Sequence, residues 1–487
     1  MQNRIHKLTF ALLIGLLTAS SAAAQEPDFI AELSARTQRV ADLDLIERLA
    51  NGDRPRVVVY LSGPPSEANR NADLVTSGLS DQEFEPGRRL QRVPVLIGTV
   101  SAAGLIRLAD DPRVLRVSLD RRIWAQLDQA RQLVRADALH AQSVTGSGTL
   151  GVIIDTGVDL DHPDLLGSVT DEACFCLGAV GAPGCCPNGF ETQTGAGAGQ
   201  DENGHGTQVA GILTSAAVHA GLGIAPDAMI IAVRILDAEG GGDASDLIRA
   251  LDWVLANHSD ADVVNLSVGG GLYDGDCDNA DAVTLAYANS IGQLRDAGVL
   301  TVAGSGNNSS GAGMIAPACI AAAISVGAVW DSDQGSQTAH GCTDATTAAD
   351  QVTCFSNSSA TTDVFAPGGV TESSRLDGTT KNGTGTSYAT PVVSGCVLLF
   401  RSIFPMLTPN ALERAIEDSS IQVTDGTNGL SFPRINCNEA FASLSPRVPA
   451  LSRDGFGLSG LALLALSLGV SALRPLLRRS GRTPTTR

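Results

Sequence analysis

Four short apolar runs in the middle of this 487-residue chain constrain its fold more than any other feature. Each is typical of a buried strand, and amphipathic helical patterns over residues 244–257 and 280–297 separate the last three. Strands that alternate with helices imply right-handed crossovers and a mostly parallel sheet, so the predicted fold class is α/β. The runs cover residues 150–155, 229–236, 262–267 and 298–303.

Residues able to do chemistry follow these strands. Asp155 closes the first run, and ligands gather at the carboxyl ends of parallel strands, although alone this Asp would be a simple turn residue. His205 lies between two glycines at the start of a small-residue helix, which leaves it open to a docking partner. Asn307 follows the last run in a glycine-rich loop, as either a turn former or an amide donor for an oxyanion.

One serine lies at the start of a predicted buried helix. Ser387 belongs to a segment of small residues, 382–391, which the apolar run 392–400 follows directly. In the first turn of a helix the N–H groups lack internal partners and the dipole is positive, so they can hold the oxyanion formed when a serine attacks a carbonyl. A serine nucleophile also needs a base, and the base needs an orienting group.

With these four residues in this order, the chain closely resembles the subtilisin-like serine proteases. The resemblance covers roughly residues 134–400. It implies a three-layer α/β fold, in which helices cover both faces of the mostly parallel sheet. The matching sequence motifs are D-T-G-V-D at 155–159, N-G-H-G-T at 203–207, V-N-L-S-V-G-G at 264–270 and G-T-S-Y-A-T-P at 385–391.

The resemblance implies a serine endopeptidase that acts on proteins or peptides without a cofactor. His205 would take the proton of Ser387 as the hydroxyl attacks a peptide carbonyl, and would pass it to the leaving amine. Asp155 would hold the imidazole in the useful tautomer. The Asn307 amide and the Ser387 N–H would bind the oxyanion.

The resemblance also assigns a substrate groove. One side would be an edge strand that pairs with an extended substrate, and residues 240–242 would flank the other side. A primary pocket would be left open by glycines. The expected residues are Ser267, Val268 and Gly269 on the edge strand, and Gly304, Ser305 and Gly306 in the pocket.

Three features of the resemblance concern other positions. Asp164 matches a calcium ligand of the family, so a structural calcium ion is an expectation, although no companion ligand loop is evident. Tyr388 replaces the methionine that usually follows the nucleophile. A cysteine-bearing insertion at about residues 169–200 separates the motifs that contain Asp155 and His205 more than is usual in the family.

Both ends of the chain carry targeting patterns. Residues 1–24 combine basic residues, an apolar stretch and an A-x-A site, which predicts a secretory signal peptide and export to the periplasm, cell surface or medium. Residues 446–487 contain the uncharged run 455–473 followed by arginines, which predicts a membrane-spanning sorting tail, either removed or kept as an anchor.

Residues 25–124 form a predicted small α+β module with strands at 57–61, 95–100 and 114–119. It resembles the inhibitory propeptide of the family, with a cut near residues 122–126 and a catalytic domain at 125–445. An accessory N-terminal domain is the alternative.

The ten cysteines indicate the redox environment of the protein, and the net charge of −19 limits the classes of partner it can bind. An even number of cysteines in an exported chain suggests disulfides, and Cys342 with Cys354 is a plausible pair. The four cysteines that crowd the insertion form either disulfides or a zinc clip. These four are Cys174, Cys176, Cys185 and Cys186.

The acidic net charge argues against nucleic acid as a partner.

Three other functions compete with the endopeptidase. An inactive relative acting as a binding module is disfavoured because all four catalytic positions are filled. An α/β-hydrolase esterase would need G-x-S-x-G and the order Ser, Asp, His, whereas Ser387 comes last and Ala389 replaces the second glycine. Acid-active relatives use a glutamate base, which His205 disfavours.

Overall fold

The computed structural model describes residues 33–444, apart from 38, 42, 88, 89, 91, 121, 126–132, 179–182 and 370. The predicted signal peptide and C-terminal tail lie outside the described residues. Among the described residues, none of the helices has the length and hydropathy of a membrane span.

The N-terminal module is a four-stranded antiparallel sheet in the order β2-β3-β1-β4. Helices pack on one face, where Val57 and Val59 share a core with Leu45 and Leu105. Ser101 caps the third helix by accepting the N–H of Gly104 at 3.2 Å. The elements are α1 (Leu43–Ala50), β1 (Arg56–Leu61), α2 (Ala68–Thr76), β2 (Phe84–Pro86), β3 (Val95–Val100), α3 (Ala102–Asp110) and β4 (Val114–Leu119).

The rest of the chain is built around an eight-stranded sheet, in the order β18-β15-β13-β11-β6-β9-β7-β8. Its strands pair in parallel except for the edge strand β8. The strands of this region are β5 (Arg122–Ala125), β6 (Leu150–Asp155), β7 (Val169–Phe175), β8 (Thr192–Thr194), β9 (Met229–Arg234), β10 (Gly241–Asp243), β11 (Val263–Leu266), β12 (Val268–Asp274), β13 (Leu300–Gly304), β14 (Gly313–Ala316), β15 (Ala323–Val329), β16 (Gln337–Ala339), β17 (Cys342–Asp344), β18 (Val364–Pro367), β19 (Thr371–Arg375), β20 (Thr379–Gly383), β21 (Gln422–Thr424) and β22 (Ser431–Pro433).

Helices cover both faces of this sheet, so the predicted three-layer α/β fold is confirmed. Alternate residues of β6 show the layers: Ile153 packs in the core with Val209 of α5, whereas Val152 and Ile154 pack on the other face with Leu247 of α6. The helices are α4 (Ala136–His140), α5 (His205–Thr214), α6 (Ala244–Asn257), α7 (Ala282–Asp296), α8 (Thr386–Ile403), α9 (Pro409–Glu417) and α10 (Cys437–Leu444).

All ten cysteines are paired, which confirms the predicted disulfides and the Cys342–Cys354 pair. The zinc alternative for the insertion is wrong, because its four thiols form two nested bridges that close the hairpin of β7 and β8. The other bridges join Cys277 to Cys319 and Cys396 to Cys437.

Candidate active site

A histidine and a carboxylate meet at the carboxyl end of the central strand β6. His205 Nδ1 donates to Asp155 Oδ1 at 2.6 Å, and both side chains are fully buried. The same oxygen accepts the N–H of Thr156 at 2.7 Å. The helix that carries the histidine can come this close because residue 206 is glycine. A Cβ added to Gly206 would lie 2.0 Å from the carbonyl oxygen of Gly157. The carboxylate therefore fixes one ring nitrogen of the imidazole.

Ser387 lies in the first turn of α8, as predicted. Its hydroxyl donates to the carbonyl oxygen of Ser267 at 3.1 Å, and the Ser267 hydroxyl donates to the Ser387 carbonyl oxygen at 2.6 Å. The ring of Tyr388, the next residue, packs edge-on against that of His205, with the centroids 5.6 Å apart. This contact brings the start of α8 beside the His205–Asp155 pair.

Asn307 carries an unused donor next to the serine. Its Oδ1 accepts the N–H of Thr386 at 2.9 Å, whereas its Nδ2 is buried without a hydrogen-bond partner. Because Oδ1 must be the atom that accepts the N–H, Nδ2 is the free end of the amide. Buried donors are rarely left unpaired, so this one indicates a site for a missing acceptor.

The loop around Asn307 is held by an asparagine that the sequence reasoning did not assign to the site. Asn357 Oδ1 accepts the N–H of Asn308 at 2.8 Å and that of Ser310 at 3.1 Å, while its Nδ2 donates to the carbonyl oxygen of Ser305 at 3.1 Å. The sequence signal that could have found it is the motif Phe355-Ser356-Asn357, which also resembles the subtilisin-like proteases.

The glycines expected to leave an open pocket also allow close packing beneath the site. A Cβ on Gly304 would lie 3.0 Å from Thr390 Oγ1, and a Cβ on Gly306 would lie 2.4 Å from Asn357 Nδ2. The Ser305 hydroxyl donates to the Asn357 carbonyl oxygen at 2.7 Å. The segment is therefore kept small for close packing around the site, and the openness of the primary pocket stays a prediction.

A strand occupies the predicted substrate groove. Strand β5 lies between β10 and β12 and pairs antiparallel with both. Its backbone sets Trp124 opposite Gly241 on one side and Gly269 on the other, and Ala125 opposite Val268. The edge strand predicted at Ser267, Val268 and Gly269 thus pairs with an extended segment of the chain itself.

Asp164 does not fit the calcium role expected from the resemblance. Its Oδ1 accepts the N–H groups of Val218 and His219, both at 2.7 Å, and its Oδ2 accepts the Ala220 N–H and the Ser374 hydroxyl. Burial raises the pKa of this carboxyl, but these donors outweigh burial and hold it below its usual value. Both oxygens are used to anchor the 218–220 turn, and no metal-binding cluster of His, Cys, Asp and Glu occurs among the described residues.

The N-terminal module is docked on α6 and α7 through its strand β4 and the residue after it. Ser118 Oγ accepts the N–H of Ala282 at 2.7 Å, and Asp120 accepts the N–H of Ser245 at 2.7 Å as well as its hydroxyl. Burial, with the nearby charge of Asp243, raises the pKa of Asp120 to about 7. Arg56 of the module is ion-paired with the same Asp243 at 2.6 Å.

Known proteins share this sequence pattern. A model described as the subtilase family matches residues 146–439. An extracellular serine proteinase of Thermus sp. (strain Rt41A) is 31% identical over 324 residues, which cover 64% of this chain and 67% of the relative. An alkaline protease of Shouchella clausii is 32% identical over 344 residues, covering 70% and 77%. Subtilisin E of Bacillus subtilis (strain 168) is 29% identical over 349 residues, covering 70% and 79%.

Proposed function

The chain belongs to the subtilase family and is a serine-type endopeptidase, and we propose that Asp155, His205 and Ser387 are its catalytic triad. Ser387 attacks the peptide carbonyl and forms the acyl-enzyme. His205 accepts the serine proton and returns it to the leaving amine, and Asp155 holds the imidazole and stabilises its charged form. Asn307 donates Nδ2 to the oxyanion.

The observation that carries this proposal is the buried hydrogen bond of 2.6 Å between His205 Nδ1 and Asp155 Oδ1, next to the helix whose second residue is Ser387. A carboxylate bound to Nδ1 leaves Nε2 as the nitrogen that can act as a base. The unpartnered Nδ2 of Asn307 supplies the complementary donor for an anion. The sites thus provide a base, a nucleophile and an oxyanion donor.

Covalent labelling tests the nucleophile. A fluorophosphonate probe should label the mature protein stoichiometrically at Ser387, because the probe mimics the tetrahedral intermediate and needs the same base. Labelling should fade in acid, where a protonated imidazole cannot accept the serine proton. The measurement is the labelling rate against pH, with the modified peptide identified by mass spectrometry.

The matched control is Ser402→Ala, in which a half-buried hydroxyl is removed from the same helix α8. It should label as fast as the unaltered protein, whereas Ser387→Ala should not label. Labelling that persists in Ser387→Ala would show that another residue is the nucleophile.

We further propose that the chain is made as a self-inhibited zymogen, in which the module at residues 25–124 is the propeptide. Strand β5 supports this, because it fills the groove between β10 and β12 in the way an extended substrate would pair. Ser387 is only 2% exposed and His205 is fully buried in this arrangement. The enzyme cuts near residues 122–126, so its own N-terminal module is its first substrate.

The docked module should be held more tightly in acid. The pKa of Asp120 is raised to about 7 in the docked state, against about 4 for a free Asp, so docking takes up a proton. The protonated Asp120 carboxyl makes its full contribution to the free energy of docking below about pH 4. This contribution is lost as the pH rises through about 7. After processing, the cut module should co-elute with the enzyme at pH 5 and separate at pH 8 in size-exclusion chromatography.

Asp120→Asn tests the source of that pH dependence, since the amide oxygen can still accept from Ser245 but cannot titrate. In this variant, the ratio of the module's dissociation constant at pH 8 to that at pH 5 should be smaller by about tenfold or more. Asp110→Asn, an exposed position on the same module, is the control. Equal pH dependence in Asp120→Asn and the unaltered protein would assign the effect to the other charges at this interface, namely Arg56, Asp243 and Asp246.

We propose export for the whole protein, on the basis of the N-terminal pattern and the five disulfides. The relative from Thermus is itself described as extracellular. A C-terminal sorting tail at residues 446–487 remains part of this proposal. Mass spectrometry of both ends of the native protein tests the signal peptide and the tail together.

A further inference from the structure

We propose that Tyr388 and Gln208 form a positioning pair that holds the His205 imidazole at the angle needed for proton transfer. This inference rests on the proposed function, because it assigns no new chemistry and concerns only the geometry of the base. Neither residue is assigned a chemical step, and both act by positioning the histidine.

The contacts form a chain across the two helices that carry the base and the nucleophile. The Tyr388 hydroxyl donates to Gln208 Oε1 at 2.5 Å, and the tyrosine ring meets the His205 ring at an interplanar angle of 85°. His205 and Gln208 are three residues apart on α5, so both face the same side of that helix. The His205 ring and the Gln208 carboxamide, both on α5, are therefore connected through the Tyr388 side chain of α8.

Burial makes this hydrogen bond specific. Tyr388 is fully buried and Gln208 is 2% exposed, so water cannot replace either partner. Gln208 Nε2 has no hydrogen-bond partner, which leaves the bond to Tyr388 as the contact that defines where the carboxamide points. The backbone of α5 is also tied at this residue, because Ser373 Oγ donates to the Gln208 carbonyl oxygen at 2.7 Å.

A second contact on the imidazole has a clear mechanical purpose. The bond from Nδ1 to Asp155 fixes one ring atom, but the ring can still tilt about that bond. An edge-to-face aromatic neighbour restricts the tilt, and the hydroxyl bond to Gln208 keeps that neighbour in place. A base displaced by a fraction of an ångström transfers protons more slowly without binding substrate less well.

The test uses variants that remove the pair while keeping its volume. Tyr388→Phe and Gln208→Met should each lower kcat about three- to tenfold, the equivalent of one hydrogen bond, with KM within twofold. The double variant should lose no more than the larger single loss, because the two residues share one interaction. The proton resonance of the His205 Nδ1–H should broaden in both variants.

The control is Thr214→Val, which deletes a buried hydroxyl at the other end of α5, where it donates to the Ala228 carbonyl oxygen at 2.9 Å. This variant should keep kcat and the Nδ1–H resonance. The proposal is overturned if Tyr388→Phe keeps kcat within twofold, if KM changes instead, if the double loss equals the product of the single losses, or if Thr214→Val behaves like Tyr388→Phe. An active Ser387→Ala variant would instead overturn the triad, so the two failures are distinguishable.

Discussion

Replacing Ser387 with alanine should lower peptide hydrolysis by roughly 10⁴-fold or more and should leave the N-terminal module attached. Removal of the nucleophile is known to cost this much in serine proteases, with subtilisin, a relative of this chain, among the reference cases. The module should remain because, in the proposed self-processing, the same hydroxyl makes the first cut. The measurements are the kcat/KM for a peptide substrate and the intact mass of the purified protein.

Two results would contradict different parts of this account. Hydrolysis that survives in Ser387→Ala would overturn the assignment of the nucleophile. A purified variant that is inactive toward peptides but still loses its module unaided would leave the triad intact and remove the claim of self-processing. Ser402→Ala should process and hydrolyse normally, which controls for disturbance of α8.

Replacing Asn307 with aspartate should lower kcat by about 100-fold or more, with a much smaller change in KM. The carboxylate keeps an oxygen to accept the Thr386 N–H, but it replaces the unpartnered Nδ2 with a second acceptor. A missing oxyanion donor costs about 10²–10³-fold in kcat in subtilisin, and the added negative charge should increase the loss. Steady-state kinetics of the processed enzyme measure this effect.

Asn308→Asp is a demanding control because it adds the same charge at the next residue. Asn308 is exposed, and its Oδ1 accepts from Asn357 Nδ2 at 3.0 Å, a bond that an aspartate can keep. Its kcat should stay within about twofold of the unaltered enzyme. Similar losses in both variants would mean that charge near the loop, rather than a lost donor, slows the reaction.

Local sequence patterns were sufficient to predict the elements that carry the site. Strand β6 and helix α6 occur at the predicted residues, 150–155 and 244–257, because apolar periodicity reports which face of each element is buried. Ser387 and His205 also lie at the starts of helices, as expected. The apolar run at 262–267 was the main difference, since the structure ends β11 at Leu266 and starts β12 at Val268.

Contacts between distant parts of the chain were not predictable in this way. The Tyr388–Gln208 bond joins residues 180 positions apart, and the pairing of β5 with β10 and β12 joins three separate segments. The hydrogen bonds of Asp164 were not predictable either, because its sequence neighbours do not show that residues 218–220 return to meet it. Only tertiary structure decides whether a carboxylate meets N–H donors or a cation.

The placement of the disulfides gives maturation a direction. All five bridges lie between Cys174 and Cys437, so the catalytic part keeps its cross-links after a cut near residues 122–126, whereas the removed piece has none. That piece also loses the cover over Val58, Val95 and Ile97, which share a core with α6 and α7. If the proposed cut occurs, we expect the released piece to be digested more readily than the cross-linked catalytic part, which would make activation irreversible.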